Sequence, residues 1–162
     1  MHDLPDSYKM ISDLDGFHRC MDQLFETHQI ALMKNEPEQA IDILDRLTDL
    51  MAVHVRDEEE LLLPLYEQKI SPVPAGGAAE FYRREHEQIM GFLKRFREHQ
   101  PVGRDEISLV HYFDMCTMYK DLIEHHHARE RTFLYRLLDG KLTAAEKKHL
   151  LKIFTGHQDH AD

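Results

Sequence analysis

Apolar positions along the chain recur at steps of three and four, the spacing of one buried face on a packed helix. No segment alternates with the period of a strand. The pattern predicts an all-α protein. A first helix is expected from about Ser12 to Asn35. A second opens at Glu36-Pro37, with proline near the first helical position and Pro64 straining or ending its last turns. SPVPAGGAA, residues 71–79, and HQPVGRDE, residues 99–106, are dense in Pro and Gly and read as loops on either side of a third helix. A fourth spans roughly Asp105 to Leu138 and stops at Asp139-Gly140, after which Thr143 and Glu146 have capping-box spacing for a helix ending near Phe154. Long helices with short links predict an up-down antiparallel four-helix bundle over about 10–140, with a short C-terminal fifth helix over about 143–155. The whole forms one domain over 1–162.

The buried stripes are unusual in what interrupts them. The first runs Ile11, Leu14, His18, Met21, Phe25, His28, Leu32, and the second Ala40, Leu44, Leu47, Met51, His54, Glu58, Leu61, Leu65. The third is Ala79, Tyr82, His86, Ile89, Leu93, Phe96, and the fourth Leu109, Tyr112, Cys116, Tyr119, Ile123, His126, Glu130, Phe133, Leu137. Each long helix places histidine in its apolar seam, and two add a glutamate one turn later. An unpartnered carboxylate in a core costs several kcal/mol, and no Lys or Arg lies on these stripes to neutralise it. A metal ion is the natural counter-charge for carboxylates beside imidazoles.

Depth in an antiparallel bundle gives an independent check, since residues at one level are equidistant from the turn between them. The midpoint of His18 and His54 is residue 36, that of His54 and His86 is 70, and that of His86 and His126 is 106, each in or at the edge of a turn. The same counting puts Glu58, Glu130 and Tyr82 one layer along. The metal ligands are therefore expected to be His18, His54, Glu58, His86, His126 and Glu130. His28, the rival for His18, counts to the level of Phe96 and Cys116. It reads as a core histidine bonded to Tyr119 or water, or as a group near the metal or its access route. Tyr82 reads as a core aromatic, or as a phenol that bonds a bridging carboxylate or approaches the metal. Asp22 is placed to orient His18, while Glu59, Glu60 and Glu85 read as solvated or as supports for the ligands. His125 and His127 read as flanking or solvated, since neither has an acid four positions on. Met21, Met51 and Met90 read as packing.

Composition narrows the partners. A formal charge of −10, with no block of Lys or Arg, argues against nucleic acid and anionic membranes. The two cysteines, Cys20 and Cys116, are too few for a disulfide framework, and the polar start MHDLPDSYKM is unlike a signal peptide. The expectation is a soluble cytoplasmic protein. Leu150, Leu151, Ile153 and Phe154 on the terminal helix leave monomer and homodimer both open.

The stretches FHRCMDQLF, HVRDEEELLLPLYE, REHEQI and HHHARERTFLYRLL resemble, in order and spacing over about residues 10–140, the hemerythrin-like or HHE cation-binding domains. The resemblance implies a non-haem di-iron centre inside a four-helix bundle, liganded by the six residues above. Each glutamate would bridge two irons, two histidines would complete each metal, and an oxo or hydroxo bridge would join them. Metals in two-metal sites sit about 3.5–4 Å apart, a span that one carboxylate covers. Oxygen-carrying hemerythrin has two histidines a turn apart on its third helix, whereas the positions one turn either side of His86 are Tyr82 and Met90. The missing nitrogen leaves more exchangeable positions and favours a small diatomic or peroxide partner (oxygen, peroxide or nitric oxide) over simple oxygen storage. The alternatives left open are a non-catalytic iron or oxygen sensor or iron-handling module read by a protein partner, and a structural metal or zinc. Whether the protein is an enzyme is not decided by its residues.

Overall fold

The computed structural model describes residues 8–101, 103 and 105–158. The polar first seven residues and part of the second loop lie outside them. Every described element is helical: a 3-10 turn over Ile11–Leu14, α1 over Asp15–Met33, α2 over Pro37–Asp57, a π-helical turn over Glu58–Leu62, and α3 over Leu63–Lys69. Next come α4 over Ala79–Glu98, α5 over Glu106–Arg129, a second π-helical turn over Glu130–Tyr135, α6 over Arg136–Lys141 and α7 over Ala144–Gln158.

The local chemistry explains the boundaries. Asn35 adopts a left-handed conformation, φ 58°, and closes α1 in a Schellman motif. Its N–H reaches Leu32 O at 3.1 Å, and the Glu36 N–H reaches Ala31 O at 2.9 Å. Pro37 then starts α2 where its missing N–H has no helical partner to lose. The Asp105 side chain caps α5 by accepting from the Ser108 N–H at 2.9 Å. The Thr143–Glu146 box is formed, with the Thr143 N–H donating to Glu146 at 2.8 Å and the Glu146 N–H to Thr143 Oγ1 at 3.3 Å. Asp139 accepts from the N–H groups of Ile11 and Ser12 and from the Ser12 hydroxyl, tying the 3-10 turn to α6.

Three helix ends differ from the sequence expectation. Pro64 does not end its helix, which continues to Lys69. Gly140 does not stop the fourth helical segment, which runs to Lys141, and α7 extends past Phe154 to Gln158. The two π-helical turns carry a larger consequence. Each holds one residue more than an α-turn, so every side chain beyond it rotates by one position. The stripe expected to continue through Leu61 and Leu65 instead buries Leu62 and Tyr66, and the one expected through Phe133 and Leu137 buries Leu134 and Leu138. Pro64 falls where the first ladder changes register, a place that tolerates a missing N–H. The second π-turn has no proline, so proline is not the shared cause.

Helix α1 packs on α2, α2 on α4, α4 on α5 and α3 on α6, and α7 lies across α2 and the 3-10 turn. Leu150, Leu151 and Phe154 of α7 are buried against this same chain, so most of the apolar face that left a dimer open in the sequence is already covered.

Candidate metal centre

The six spacing-selected residues come from every long helix: His18 from α1, His54 from α2, Glu58 from the first π-turn, His86 from α4, His126 from α5 and Glu130 from the second π-turn. His–Glu pairs four apart lie on one helix face, so each glutamate rises beside its own histidine. All six are buried, and both glutamates are 0% exposed. His18 Nε2 lies 3.1 Å from His54 Nε2 and 3.2 Å from Glu130 Oε2, and His54 Nε2 is 3.6 Å from Glu58 Oε1. Across the site, His86 Nε2 is 3.3 Å from Glu58 Oε2 and His126 Nε2 is 2.9 Å from Glu130 Oε1. Two groups result, His18, His54, Glu58 and Glu130 on one side and Glu58, His86, His126 and Glu130 on the other. Within each, the donor atoms lie within 4.8 Å of one another. Both carboxylates belong to both groups.

The surroundings fit a cation better than a polar network. Carboxylates sit on the outer nitrogens of three imidazoles: Asp15 on His18 Nδ1 at 3.1 Å, Glu59 on His86 Nδ1 at 2.8 Å and Glu85 on His126 Nδ1 at 2.9 Å. Assigning one ring proton to each of these bonds turns Nε2 inward, the arrangement that orients histidine on a metal once any second proton is displaced. Glu58 Oε2, His86 Nε2 and both Glu130 oxygens are buried without a hydrogen-bond partner. They are close to one another but out of line for hydrogen bonds. Unpaired acceptors converging in a core are costly unless a cation satisfies them together.

Electrostatics bind the set together. Burial pushes both central carboxyls up. At Glu58 the His54 and His86 rings reverse this and hold it well below the usual range, while at Glu130 the Glu58 charge adds to burial and keeps it raised. Burial drives His54 down to about 3. At His126 burial is outweighed by the Glu130 and Glu85 carboxylates, which push it up to about 10. Metal-free protein thus holds a proton on His126 that its unfolded chain releases near pH 6.5. That contribution to stability is complete below about pH 6.5 and is lost as pH rises through about 10. A metal must displace the same proton, so its affinity rises over this window. Thermal unfolding of chelator-treated protein between these pH values is expected to show falling stability while metal affinity climbs; metal-free stability that increased instead would contradict the assignment.

Several residues take places other than those the sequence suggested. Asp15, not Asp22, holds His18; Asp22 is exposed. Tyr82 is the core aromatic of the first reading, fully buried with its hydroxyl donating to Arg129 O at 3.3 Å, and the phenol that reaches Glu58 belongs to Tyr135 instead. His28 is bonded at both nitrogens, to Ala40 O and to Tyr112 Oη, each at 2.8 Å, so its aromatic partner is Tyr112 rather than Tyr119. Tyr119 packs among Phe25, Phe92 and Phe96. With both ring nitrogens in use, His28→Gln is expected to leave the metal count unchanged, and loss of one equivalent would move it into the centre.

His127 is buried rather than solvated, its ring stacked on His18 at 3.7 Å, whereas the His125 side chain is 66% exposed. His127 also lines a cleft of about 290 Å³ between α1 and α5, with Phe25, Tyr119 and Ile123 as its apolar part and Asp22 and Arg131 among its polar lining. Glu85 also takes the Arg129 guanidinium at 3.0 Å. Cys116 is buried, and burial raises its thiol to about 12, which excludes a thiolate nucleophile there.

Helices that converge buried imidazoles and shared carboxylates on one point define a cation-binding protein. The model of the hemerythrin HHE cation-binding domain matches residues 9–113, more than half of the chain, and the chain belongs to that family. The match covers His18, His54, Glu58 and His86; the geometry adds His126 and Glu130. No curated protein and no solved structure matches the chain. Among the described residues no helix is long and apolar enough to cross a membrane.

Proposed function

We propose that this chain is a single-domain, up-down four-helix bundle of the cytoplasm that holds two non-haem iron ions joined by an oxo or hydroxo bridge. In this reading it binds or reacts with a small oxidant: oxygen, peroxide or nitric oxide. The observation that carries the reading is the membership of Glu58 and Glu130 in both donor groups. His18 and His54 would hold one ion, His86 and His126 the other, and the two carboxylates would span both. Imidazole and carboxylate donors suit iron, and neither cysteine belongs to a donor group. Bound iron supplies reversible redox change and coordination positions that a small molecule can take.

The chain's own residues hold and shield that centre. Asp15, Glu59 and Glu85 fix three imidazole planes, so the lone pairs need no reorientation when a cation arrives. Met51, Leu62, Ile89 and Ile123, each three or four positions from a donor on its own helix, are buried in the apolar core. The cleft lined by His127 has room for a molecule the size of dioxygen beside the bundle core.

Anaerobic addition of ferrous iron, followed by oxygen, peroxide or nitric oxide under visible absorption, tests the proposal. It expects two irons per chain and a bridged-iron spectrum that responds to at least one of the three. Tight binding of one zinc, or no response to any of them, would remove it. The second reading, a sensor or iron-handling module, draws on the unpaired buried atoms, since metal loss leaves polar groups in a core and loosens the helices around them. Amide hydrogen exchange that rises throughout the bundle on iron removal, in a protein inert to all three oxidants, would favour that reading.

A further inference from the structure

Tyr135 was not singled out by its spacing, yet it is fully buried, and its Oη lies 2.5 Å from Glu58 Oε1 and 3.1 Å from His18 Nε2. Its ring lies nearly parallel to that of His18, 20° between planes. Two ligand atoms each about 2.1 Å from one ion, at right angles, are separated by about 3 Å. The Tyr135–His18 separation has this value, and so does the His18–His54 separation of 3.1 Å. The phenol oxygen thus stands beside two of the four donors of the His18 side.

We infer that Tyr135 is a metal ligand on the His18/His54 side of the centre, bound as phenolate when the ion is trivalent. The inference rests on the two-metal reading above. In the step itself the phenol O–H bond breaks, the proton leaves to solvent, and an oxygen lone pair forms the bond to the ion; no electron is transferred. The hydrogen bond to Glu58 holds the oxygen in place beforehand. The second π-turn supplies the geometry, because its extra residue advances the buried face by one position and turns Tyr135 inward beside Leu134. Among the described residues no tyrosine hydroxyl bonds to His86, His126 or Glu130, and that of Tyr82 donates to Arg129 O. Five donors on one side against four on the other make the centre asymmetric, and a small exogenous molecule then binds at the His86/His126 side.

Resonance Raman and visible absorption of the whole chain test this, after anaerobic loading with iron(II) and oxidation with ferricyanide as the one-electron acceptor. Wild-type protein is expected to show phenolate-to-iron(III) charge transfer with vibrations that shift when tyrosine is ring-deuterated. Tyr82→Phe should keep these signals and two irons, and Tyr135→Phe should lose the signals while keeping two irons. Two irons without phenolate vibrations in the wild type, or vibrations that persist in Tyr135→Phe, would overturn the ligand assignment alone. Fewer than two irons in the wild type would overturn the two-metal reading and this assignment with it. Tyr66→Phe, which removes the other buried phenol without a partner, should also keep the signals; with Tyr82→Phe it leaves Tyr135 as the phenol bonded to donors, so the decision does not depend on Tyr135→Phe folding.

Discussion

Replacing Glu130 or Glu58 with alanine is expected to take metal from both sides of the centre at once. Each carboxylate belongs to both donor groups, so its loss leaves two half-sites short rather than one. Metal analysis should fall from two equivalents per chain to one or fewer. The stabilisation that metal lends the fold should fall with it, since a ligand present at a thousand times its Kd contributes about 4 kcal/mol to the folded state. Differential scanning calorimetry with and without added iron reads that difference directly. A wild-type protein whose unfolding temperature rises with iron, beside variants whose temperature does not move, is the expected pair of results. Variants that keep two equivalents and the full shift would show that neither carboxylate spans the ions.

Leu62→Ala is expected to destabilise the protein by about 2–5 kcal/mol, while Leu61→Ala costs about 1 kcal/mol or less. The two residues are adjacent and chemically identical, but the first π-turn buries Leu62 completely and leaves Leu61 at the edge of the core. Urea unfolding of the two variants therefore reads the helix register rather than the side chain. The reverse order would mean that the helix continues as a regular α-helix through Glu58–Leu62, and it would move Tyr66 out of the core as well.

The pattern of apolar positions carried the helical class and most of the core up to the two glutamates, because three-four spacing is a local property that packing preserved. Histidines in those stripes stood out for the same reason: an imidazole or carboxylate on an otherwise apolar face is visible without any structure. Much of what stayed hidden lies at or beyond the π-turns. Counting in threes and fours assumes an unbroken ladder, and one inserted residue moved Leu62 and Leu134 into the core in place of Leu61 and Phe133. The same slip brought Tyr135, not Tyr82, to Glu58. Asp15 was missed because it lies off the stripe, three residues before His18, where only the direction of the ring selects it over Asp22. His127 was read by its lack of an acid four residues on, a rule that finds ligands and cannot see stacking against a ring on another helix. Both π-turns begin at the buried glutamates, a kind of functional position where such turns are frequent.

The most direct test of the central claim is the iron K-edge X-ray absorption spectrum of the fully loaded protein, read together with its iron content. Two irons per chain, with metal–metal scattering at about 3.5 Å and nitrogen and oxygen neighbours only, is the predicted result. One iron per chain, or two without metal–metal scattering, would contradict a centre built on shared Glu58 and Glu130.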